Sequence, residues 1–242
     1  MKRRELLKGA VASAATLAVG APMRLAAQVN STAARDARLL ATAREQLARV
    51  GANIWRKDIV GIADFGLHSA KERFHFVDVE NERVKSFHVT HGDGSDRDHD
   101  GWLNRYSNVE GSHCTSRGAY MTRSWYVGRF GTSMRLDGLD ETNSLALPRA
   151  IVMHKAEYAR PEHIARWGKL GRSNGCFAMG PEQFGMALTE LGGGRLLFAD
   201  SLGFAEDGSV VTPPHPQPHV TETELLRPAR ENTFQRTNPG VF

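Results

Sequence analysis

The residue in this chain best placed to do chemistry is a cysteine in a polar, glycine-containing turn. Cys176 follows the run GRSNG at residues 171–175 and stands just ahead of a helix predicted to begin near Pro181. Backbone N–H groups that point outward from such a turn favour a thiolate, and they can also hold the oxyanion of an acyl-transfer intermediate. The turn therefore predicts a nucleophilic cysteine.

A nucleophile of this kind also needs a base, and His154 is the candidate. It ends the apolar run AIVM at residues 150–153, which predicts a strand. A strand end is a rigid position from which a polar side chain projects out of the core. A lone histidine at such a position is more often structural, and a lone Gly-Cys pair is an equally weak signal, so each needs the other.

Together, the strand-end histidine and the Ser-x-Gly-Cys turn resemble the catalytic domain of the murein L,D-transpeptidase family. The resemblance covers roughly residues 58–200 and includes further segments in the order expected of one branch of the family. These segments are Ser107-Asn108, Gly111-Ser112, SRGAY at 116–120, YVGRFG at 126–131, RLDGL at 135–139 and RAIVMH at 149–154.

The resemblance implies a Cys-His acyltransferase on a β-rich fold, without a cofactor. Cys176 would attack a carbonyl of a peptidoglycan stem peptide and form a thioester. His154, oriented by a backbone carbonyl, would take the thiol proton and later deprotonate an amine acceptor. The N–H groups of Gly175 and Cys176 would hold the oxyanion, and Ser173 could hydrogen-bond to the thiolate or the substrate. An amine acceptor gives cross-linking and water gives hydrolysis; a catalytically idle murein-binding module is a further alternative.

Donor recognition departs from the better-known family members. They commonly have a histidine where Asn174 stands and an arginine where Ala178 stands. An arginine elsewhere, such as Arg149, could replace that charge by forked pairing with a stem-peptide carboxylate. His91 ends a predicted strand beside a long loop, where it is expected to line the cleft. The candidate substrate-binding residues are Arg172, Asn174, Tyr126, Arg135 and His91.

Two incomplete metal-site patterns lie in or beside the loop over residues 92–118, and neither site is expected. Residues 96–101 reproduce the first half of a calcium-loop pattern, but Ser107 stands where the bidentate acid is required. A zinc hydrolase is suggested by four histidines and a cysteine in or beside the loop, namely His88, His91, His99, His113 and Cys114. His88 and His91, however, lie three apart on a predicted strand and so point to opposite faces.

Two cysteines are too few for a disulfide framework in a chain of this size. Cys114 lies in the loop that the resemblance places near the active site. A disulfide between Cys114 and Cys176 would silence the enzyme reversibly, whereas the alternative is a small buried filler. Both readings remain open at this point.

The elements that must position these residues are mostly strands. Helical spacing predicts one helix over 33–50, and Pro181 opens a second helix to about Leu191. Period-two patterns and a turn at 80–82 predict the strands 59–65, 73–79, 83–89, 119–127, 133–136, 149–154 and 195–199. The expected fold is mainly β (α+β), a sandwich or barrel with a long active-site loop, an N-terminal helix and one helix after the cysteine.

Composition supports a single exported globular domain. The chain has 242 residues, 40% of them apolar and 24% charged, which allows a sizeable core. Residues 1–27 carry Arg3-Arg4 ahead of an uncharged run too short to span a bilayer, which predicts a twin-arginine export signal and a periplasmic protein without a lasting membrane anchor. The remaining ranges are a helical segment at 28–51, the catalytic domain at 52–204 and a Pro-rich tail at 205–242.

The net charge of +4 belongs to the export signal. Five cationic side chains and one acidic side chain lie in residues 1–27, so residues 28–242 sum to zero. A neutral folded chain gives no reason to expect nucleic-acid binding. The expected partners are therefore peptidoglycan stem peptides, with the protein acting as a monomer.

Overall fold

The computed structural model describes residues 20–128 and 131–225. Most of the predicted export signal, residues 1–19, lies outside the described residues, as do residues 226–242 of the predicted tail. The helices are α1 Gly20–Val50, α2 Pro161–Trp167, α3 Pro181–Glu190 and α4 Glu222–Leu225. No helix among the described residues is long and apolar enough to cross a membrane.

Within the described residues, eight strands form one mixed sheet. They are β1 Ile59–Asp64, β2 Phe74–Asp78, β3 Arg83–Phe87, β4 Gly118–Gly128, β5 Gly131–Gly138, β6 Val152–Lys155, β7 Phe177–Met179 and β8 Leu196–Asp200. Their order is β3-β2-β1-β8-β4-β5-β6-β7. The pairs β1/β8 and β6/β7 are parallel, and the others are antiparallel.

The two ends of the sheet are joined by the chain that follows β3. The N–H of Thr90 donates to the carbonyl of Ala178 at 3.0 Å, and Gly92 forms a parallel bridge with Ser173. The segment after β3 thus lies beside β7 at the far end of the strand order. The sheet therefore curls towards closure, as expected for the predicted sandwich or barrel.

The sheet has two buried faces, and only the inner one encloses the main core. Inward side chains such as Phe74, Leu136, Met153 and Phe177 pack together with α3. On the outer face, α1 covers the region of β1, β2 and β8 through a second cluster of apolar side chains that includes Leu39, Ala43, Ile62, Val77 and Phe198. The active-site candidates lie on this outer face, beyond the part that α1 covers.

The predicted α+β fold is confirmed, and three elements depart from the predicted pattern. Residues 60–64 are all buried because α1 covers one face of β1 and the core covers the other, so the expected alternation does not hold there. Strand β7 has only three residues, too few for a period to be read from the sequence. Helix α2, which precedes the cysteine turn, was also not predicted.

The segment after β8 lies along the domain. The carbonyl of Pro218 accepts the N–H of Tyr106, and the N–H of Val220 donates to the carbonyl of Tyr106, both at 2.8 Å. The side-chain amide of Gln217 donates to the carbonyl of Phe65 at 2.8 Å. Residues 217–220 of the predicted tail therefore hold one side of the long loop in place.

Candidate active site

Cys176 and His154 lie on the same face of neighbouring strands. Parallel pairing places Met153 beside Phe177 and His154 beside Ala178. Met153 and Phe177 both point into the main core. Because side chains alternate along a strand, the flanking residues Cys176 and His154 point to the outer face together.

The two side chains are diagonal neighbours on that face. The same register places Cys176 beside Val152, two residues before His154 on β6. With a strand spacing of ~4.8 Å and a rise of ~3.3 Å per residue, their Cα atoms lie about 8 Å apart. An imidazole at one corner of such a diagonal is long enough to approach a thiol at the other.

A backbone carbonyl fixes the tautomer of His154. Its Nδ1 lies 2.9 Å from the carbonyl oxygen of Lys155. A carbonyl only accepts, so Nδ1 carries the proton and Nε2 keeps the lone pair. Burial lowers the pKa of His154, and the Lys155 carbonyl opposes this only in part. The ring is therefore a neutral base at pH 7, held by the kind of partner that the resemblance implies.

The thiol of Cys176 is nearly enclosed. It is 8% exposed and donates to the carbonyl oxygen of Ala150 at 3.6 Å. Burial raises the pKa of Cys176, while the N–H of Val152 and the charge of Arg149 lower it in part. In this structure the sulfur is therefore a protonated thiol that two nearby groups are placed to stabilise once it ionises.

The turn before the cysteine is fixed by close backbone packing. Gly175 has φ of +108°, and a Cβ there would lie 2.7 Å from the carbonyl oxygen of Cys114. Ser173 donates its N–H to the carbonyl of His91 at 3.0 Å and its hydroxyl to the carbonyl of Cys176 at 2.6 Å. The serine thus holds the turn by its backbone and its side chain at once, while Asn174 is exposed at the tip.

A buried charged network supports the turn from below. Arg73 donates to Nδ1 of His91 at 2.8 Å, and Nε2 of His91 then donates to a carboxylate oxygen of Asp96 at 3.1 Å. All three side chains are at most 1% exposed. His91 therefore does not line an open cleft, because both of its ring nitrogens are occupied inside the protein.

Charges in this network are set by burial and by its hydrogen bonds. Burial lowers the pKa of His91 to about 4 and that of Arg73 to about 9, so the imidazole is neutral and the guanidinium charged at pH 7. Burial alone would raise the pKa of Asp96, but hydrogen bonds from His91 and from the N–H groups of Asp100 and Gly101 hold it well below its usual range. A neutral histidine thus links a buried cation to a buried anion.

The long loop is tied to the start of β6 by Arg149. Its guanidinium donates to the carbonyl of Cys114 at 2.6 Å and to that of Ser107 at 2.9 Å. Arg149 also lies close enough to Cys176 to influence the pKa of its thiol. Cys114 and Cys176 are both free thiols, and the hydroxyls of Ser95 and Ser112 lie beside the thiol of Cys114.

The remaining candidates lie at different places on the outer face. Tyr126 pairs with Ser133, which pairs with His154, so the three form a row across β4, β5 and β6. Arg135 pairs with Val152, and its guanidinium lies 4.0 Å from the centre of the Tyr126 ring. Arg172 instead donates to the backbone carbonyls of Asp96 and Arg97.

Several residues of this site were missed or misjudged from the sequence. Tyr158 lies beside Cys176, which contributes to raising the pKa of the phenol to about 12, although burial is the larger cause. The sequence pattern indicates Asp96 only as a calcium ligand, yet its carboxylate is occupied by backbone N–H groups and His91. Arg73 stands at the start of a predicted apolar strand. A charged residue in that position is the local sequence feature that could indicate a buried network. No group of three or more His, Cys, Asp or Glu among the described residues could hold a metal ion.

Comparison with known proteins identifies the family. The family model described as the L,D-transpeptidase catalytic domain matches residues 31–199. The chain belongs to this family. No curated protein sequence matches it.

Solved structures of L,D-transpeptidases show distant similarity. A Mycobacterium smegmatis L,D-transpeptidase has 12% identity and a TM-score of 0.35, covering 59% of this chain and 58% of that one. L,D-transpeptidase 3 from Mycobacterium tuberculosis has 14% identity and a TM-score of 0.36, covering 59% of this chain and 61% of that one. The chain thus spans about three fifths of the length of these proteins.

Proposed function

We propose that this protein is a periplasmic, cysteine-dependent L,D-transpeptidase that acylates itself with a peptidoglycan stem peptide and passes the acyl group to an amine. The observation that carries the proposal is the common face of Cys176 and His154 on adjacent strands, with the histidine tautomer fixed by the carbonyl of Lys155. The family to which the chain belongs supports a reaction on peptidoglycan.

In the first step, the thiol of Cys176 gives its proton to Nε2 of His154. The sulfur attacks the carbonyl carbon of the donor stem peptide, and a C–S bond forms. The N–H groups of Gly175 and Cys176 hold the oxyanion of the tetrahedral intermediate. The amide C–N bond then breaks, and the imidazolium returns its proton to the departing D-amino acid.

In the second step, an acceptor amine attacks the thioester while Nε2 of His154 takes one of its protons. The new C–N bond forms, the C–S bond breaks, and the thiolate recovers the proton. Water in place of the amine gives a free carboxylate and a trimmed stem. All the groups needed come from one chain, so a monomer without a cofactor or a metal ion suffices.

Of the two candidate arginines, Arg135 is better placed than Arg172 to recognise the donor. Arg135 stacks on Tyr126 and lies beside Val152, which is itself the neighbour of Cys176. Arg172 already uses its guanidinium on two backbone carbonyls of the long loop. We therefore assign to Arg135 the pairing with a stem-peptide carboxylate, to Tyr126 the support of its guanidinium, and to Asn174 a contact at the mouth of the site.

The location follows from the substrate and from the predicted signal. Peptidoglycan lies outside the cytoplasm, and residues 1–27 have the pattern of a twin-arginine export signal. The protein is therefore assigned to the periplasm, to which it would be exported in the folded state. No role in nucleic-acid binding is assigned to it. A reporter fused to residues 1–27 should be exported. Replacing Arg3 and Arg4 with lysine in that fusion should abolish its export.

The direct test is an intact-mass search for the thioester. Purified protein is incubated with disaccharide tetrapeptide, and the expected mass gain is that of the donor minus its terminal D-amino acid. The Cys114→Ala variant should acquire the adduct and Cys176→Ala should not. An adduct that survives in Cys176→Ala would overturn the assignment of the nucleophile.

The products then separate the two fates of the thioester. Cross-linked dimers indicate transpeptidation, whereas trimmed monomers alone indicate a hydrolase using the same cysteine. A parent protein that forms no adduct, yet binds sacculi as well as Cys176→Ala does, would be a murein-binding module. Either of the last two results would overturn the proposed transpeptidation.

A further inference from the structure

Two exposed tryptophans line a groove beside strands β4 and β5. Trp55 is 66% exposed and Trp125 is 64% exposed. They border a cavity of about 500 Å³ together with Arg123, Arg135, Asp137 and Leu147. We call this cavity the indole groove. Large apolar side chains clustered at a surface in this way mark a binding site more often than single exposed residues do.

The indole of Trp55 is held in its exposed position. The backbone N–H of Trp55 donates to the carbonyl of Gly194 at 2.9 Å, and a Cβ on Gly194 would lie only 2.6 Å from the ring. The guanidinium of Arg123 lies 5.5 Å from the ring centre and is itself paired with Asp137. The groove therefore presents a fixed aromatic surface beside planar charged groups, before any ligand binds.

This combination suits a carbohydrate. A pyranose ring has a face of C–H groups that packs on an indole and a rim of hydroxyls that needs donors and acceptors. Arg123 supplies donors, and Asp137 supplies acceptors. A purely apolar ligand would displace water from the ion pair of Arg123 and Asp137 without replacing the hydrogen bonds of that water, which is costly in a binding site.

The spacing between the groove and the cysteine matches a stem peptide. Arg135, which lines the groove, pairs with Val152 on β6, and Val152 lies beside Cys176, the residue before β7. Two strand spacings separate Arg135 from Cys176, which is about 10 Å. Three residues of extended peptide also span about 10 Å. A donor whose third residue reaches the sulfur would thus place its sugar end at the groove.

We propose that the indole groove binds the amino-sugar strand of peptidoglycan while the stem peptide attached to that strand occupies the Cys176 site. The inference rests on the proposed function, since it takes the stem peptide as the donor. It assigns the sugar as a second recognition element of the substrate. The enzyme would therefore prefer a donor that carries its disaccharide to the same peptide without it.

The test is a competition between those two donors. Disaccharide tetrapeptide and the free tetrapeptide are mixed in equal amounts. The adduct from the first donor keeps its disaccharide, so intact mass distinguishes the two adducts on Cys176. The parent protein should favour the disaccharide donor by a factor of about 5 to 10, the size that one aromatic contact supplies. A ratio of 1 in the parent would overturn the inference.

Variants locate the preference in the groove. Trp55→Ala and Trp125→Ala should each move the ratio towards 1, while Trp167→Ala should keep the ratio of the parent. Trp167 is the matched control because it is 56% exposed on α2 and does not line the groove. Circular dichroism checks that each variant is folded. An unchanged ratio in both groove variants would count against the assignment.

A second measurement keeps the inference separate from the proposed function. If neither donor acylates Cys176, the proposed function fails, and the groove is tested with glycan strands from which an amidase has removed the stems. Binding followed by tryptophan fluorescence should occur with the parent and Trp167→Ala and weaken with Trp55→Ala and Trp125→Ala. Absence of binding to the parent would overturn the sugar site.

Discussion

The thiol of Cys176 lies 3.6 Å from the carbonyl oxygen of Ala150, a residue whose φ is +52°. Few residues other than glycine adopt a positive φ, and such strain is found mainly where the surrounding structure imposes it. A carbonyl oxygen accepts a hydrogen bond from a thiol but repels a thiolate. The contact therefore favours the protonated sulfur in the resting protein, in agreement with the raised pKa of Cys176.

The first prediction concerns the pH dependence of Cys176 alkylation. Only the thiolate reacts with iodoacetamide, so a raised pKa means that the rate should keep rising with pH to beyond pH 9. The measurement uses Cys114→Ala and follows the cysteine-containing peptide by mass spectrometry. A plateau that begins near pH 6 would instead reveal a thiolate–imidazolium pair already formed at rest.

The second prediction concerns the turn before the cysteine. Gly175→Ala places a side chain at φ of +108°, with its Cβ 2.7 Å from the carbonyl oxygen of Cys114 and 2.9 Å from Ile151 Cδ1. Strain and overpacking should lower the free energy of unfolding by about 2–4 kcal/mol. Displacement of the sulfur should slow acylation by about 100-fold. Urea unfolding and the rate of adduct formation check the two effects.

The control for this variant is another glycine. Gly185 lies inside helix α3 with open space around the position of a Cβ. Gly185→Ala should raise the free energy of unfolding by about 0.5–1 kcal/mol, because alanine restricts the unfolded chain. If the two variants behaved alike, the close approach of Gly175 to Cys114 would not matter to the turn.

Local patterns were sufficient to predict most of the elements that hold the candidate residues. Period-two stretches predicted seven of the eight strands, and the helical repeat over 33–50 predicted the described part of α1 that packs on the sheet. The cysteine turn and the strand-end histidine could be singled out because each is set by residues adjacent in the sequence. Which face of β6 and β7 they share depends on register, and only the structure supplies it.

Contacts between distant residues could not be predicted in the same way. His91 looks like a cleft residue because it ends a strand before a polar loop. Its burial depends on Arg73, 18 residues earlier, and on the way the loop folds Asp96 back onto it. The indole groove likewise combines Trp55, next to α1, with Trp125 on β4. No local period connects such residues, so their proximity follows only from the assembled sheet.

The third prediction concerns the buried network. Asp96→Asn would turn an amide N–H₂ towards donors, since the carboxylate accepts from His91 Nε2 at 3.1 Å and from the N–H groups of Asp100 at 2.9 Å and Gly101 at 3.0 Å. It would also remove a buried anion whose charge stabilises the guanidinium of Arg73. The free energy of unfolding should fall by about 3 kcal/mol. Asp98→Asn, in the same loop but exposed, should change it by less than about 0.5 kcal/mol.

The fourth prediction concerns stability in acid. His75 is fully buried on β2, its Nδ1 contacts the hydroxyl of Ser86 at 2.9 Å, and its Nε2 has no hydrogen-bond partner within the described residues. Burial, helped by the charge of Arg35, lowers the pKa of His75 to about 3. The unfolded chain then binds a proton near pH 6.5 that the folded chain refuses, so stability falls as the pH drops from about 6.5 towards 3.

Replacing this imidazole should therefore flatten the pH dependence. His75→Phe keeps the ring volume and removes the titration, so the loss of unfolding free energy between pH 6 and pH 4 should shrink by about 1.4 kcal/mol per pH unit. Ser86→Ala removes the Nδ1 partner but keeps the buried imidazole, and its slope should remain that of the parent. Urea unfolding at several pH values measures both. Equal slopes for His75→Phe and the parent would mean that His75 accepts its proton without unfolding.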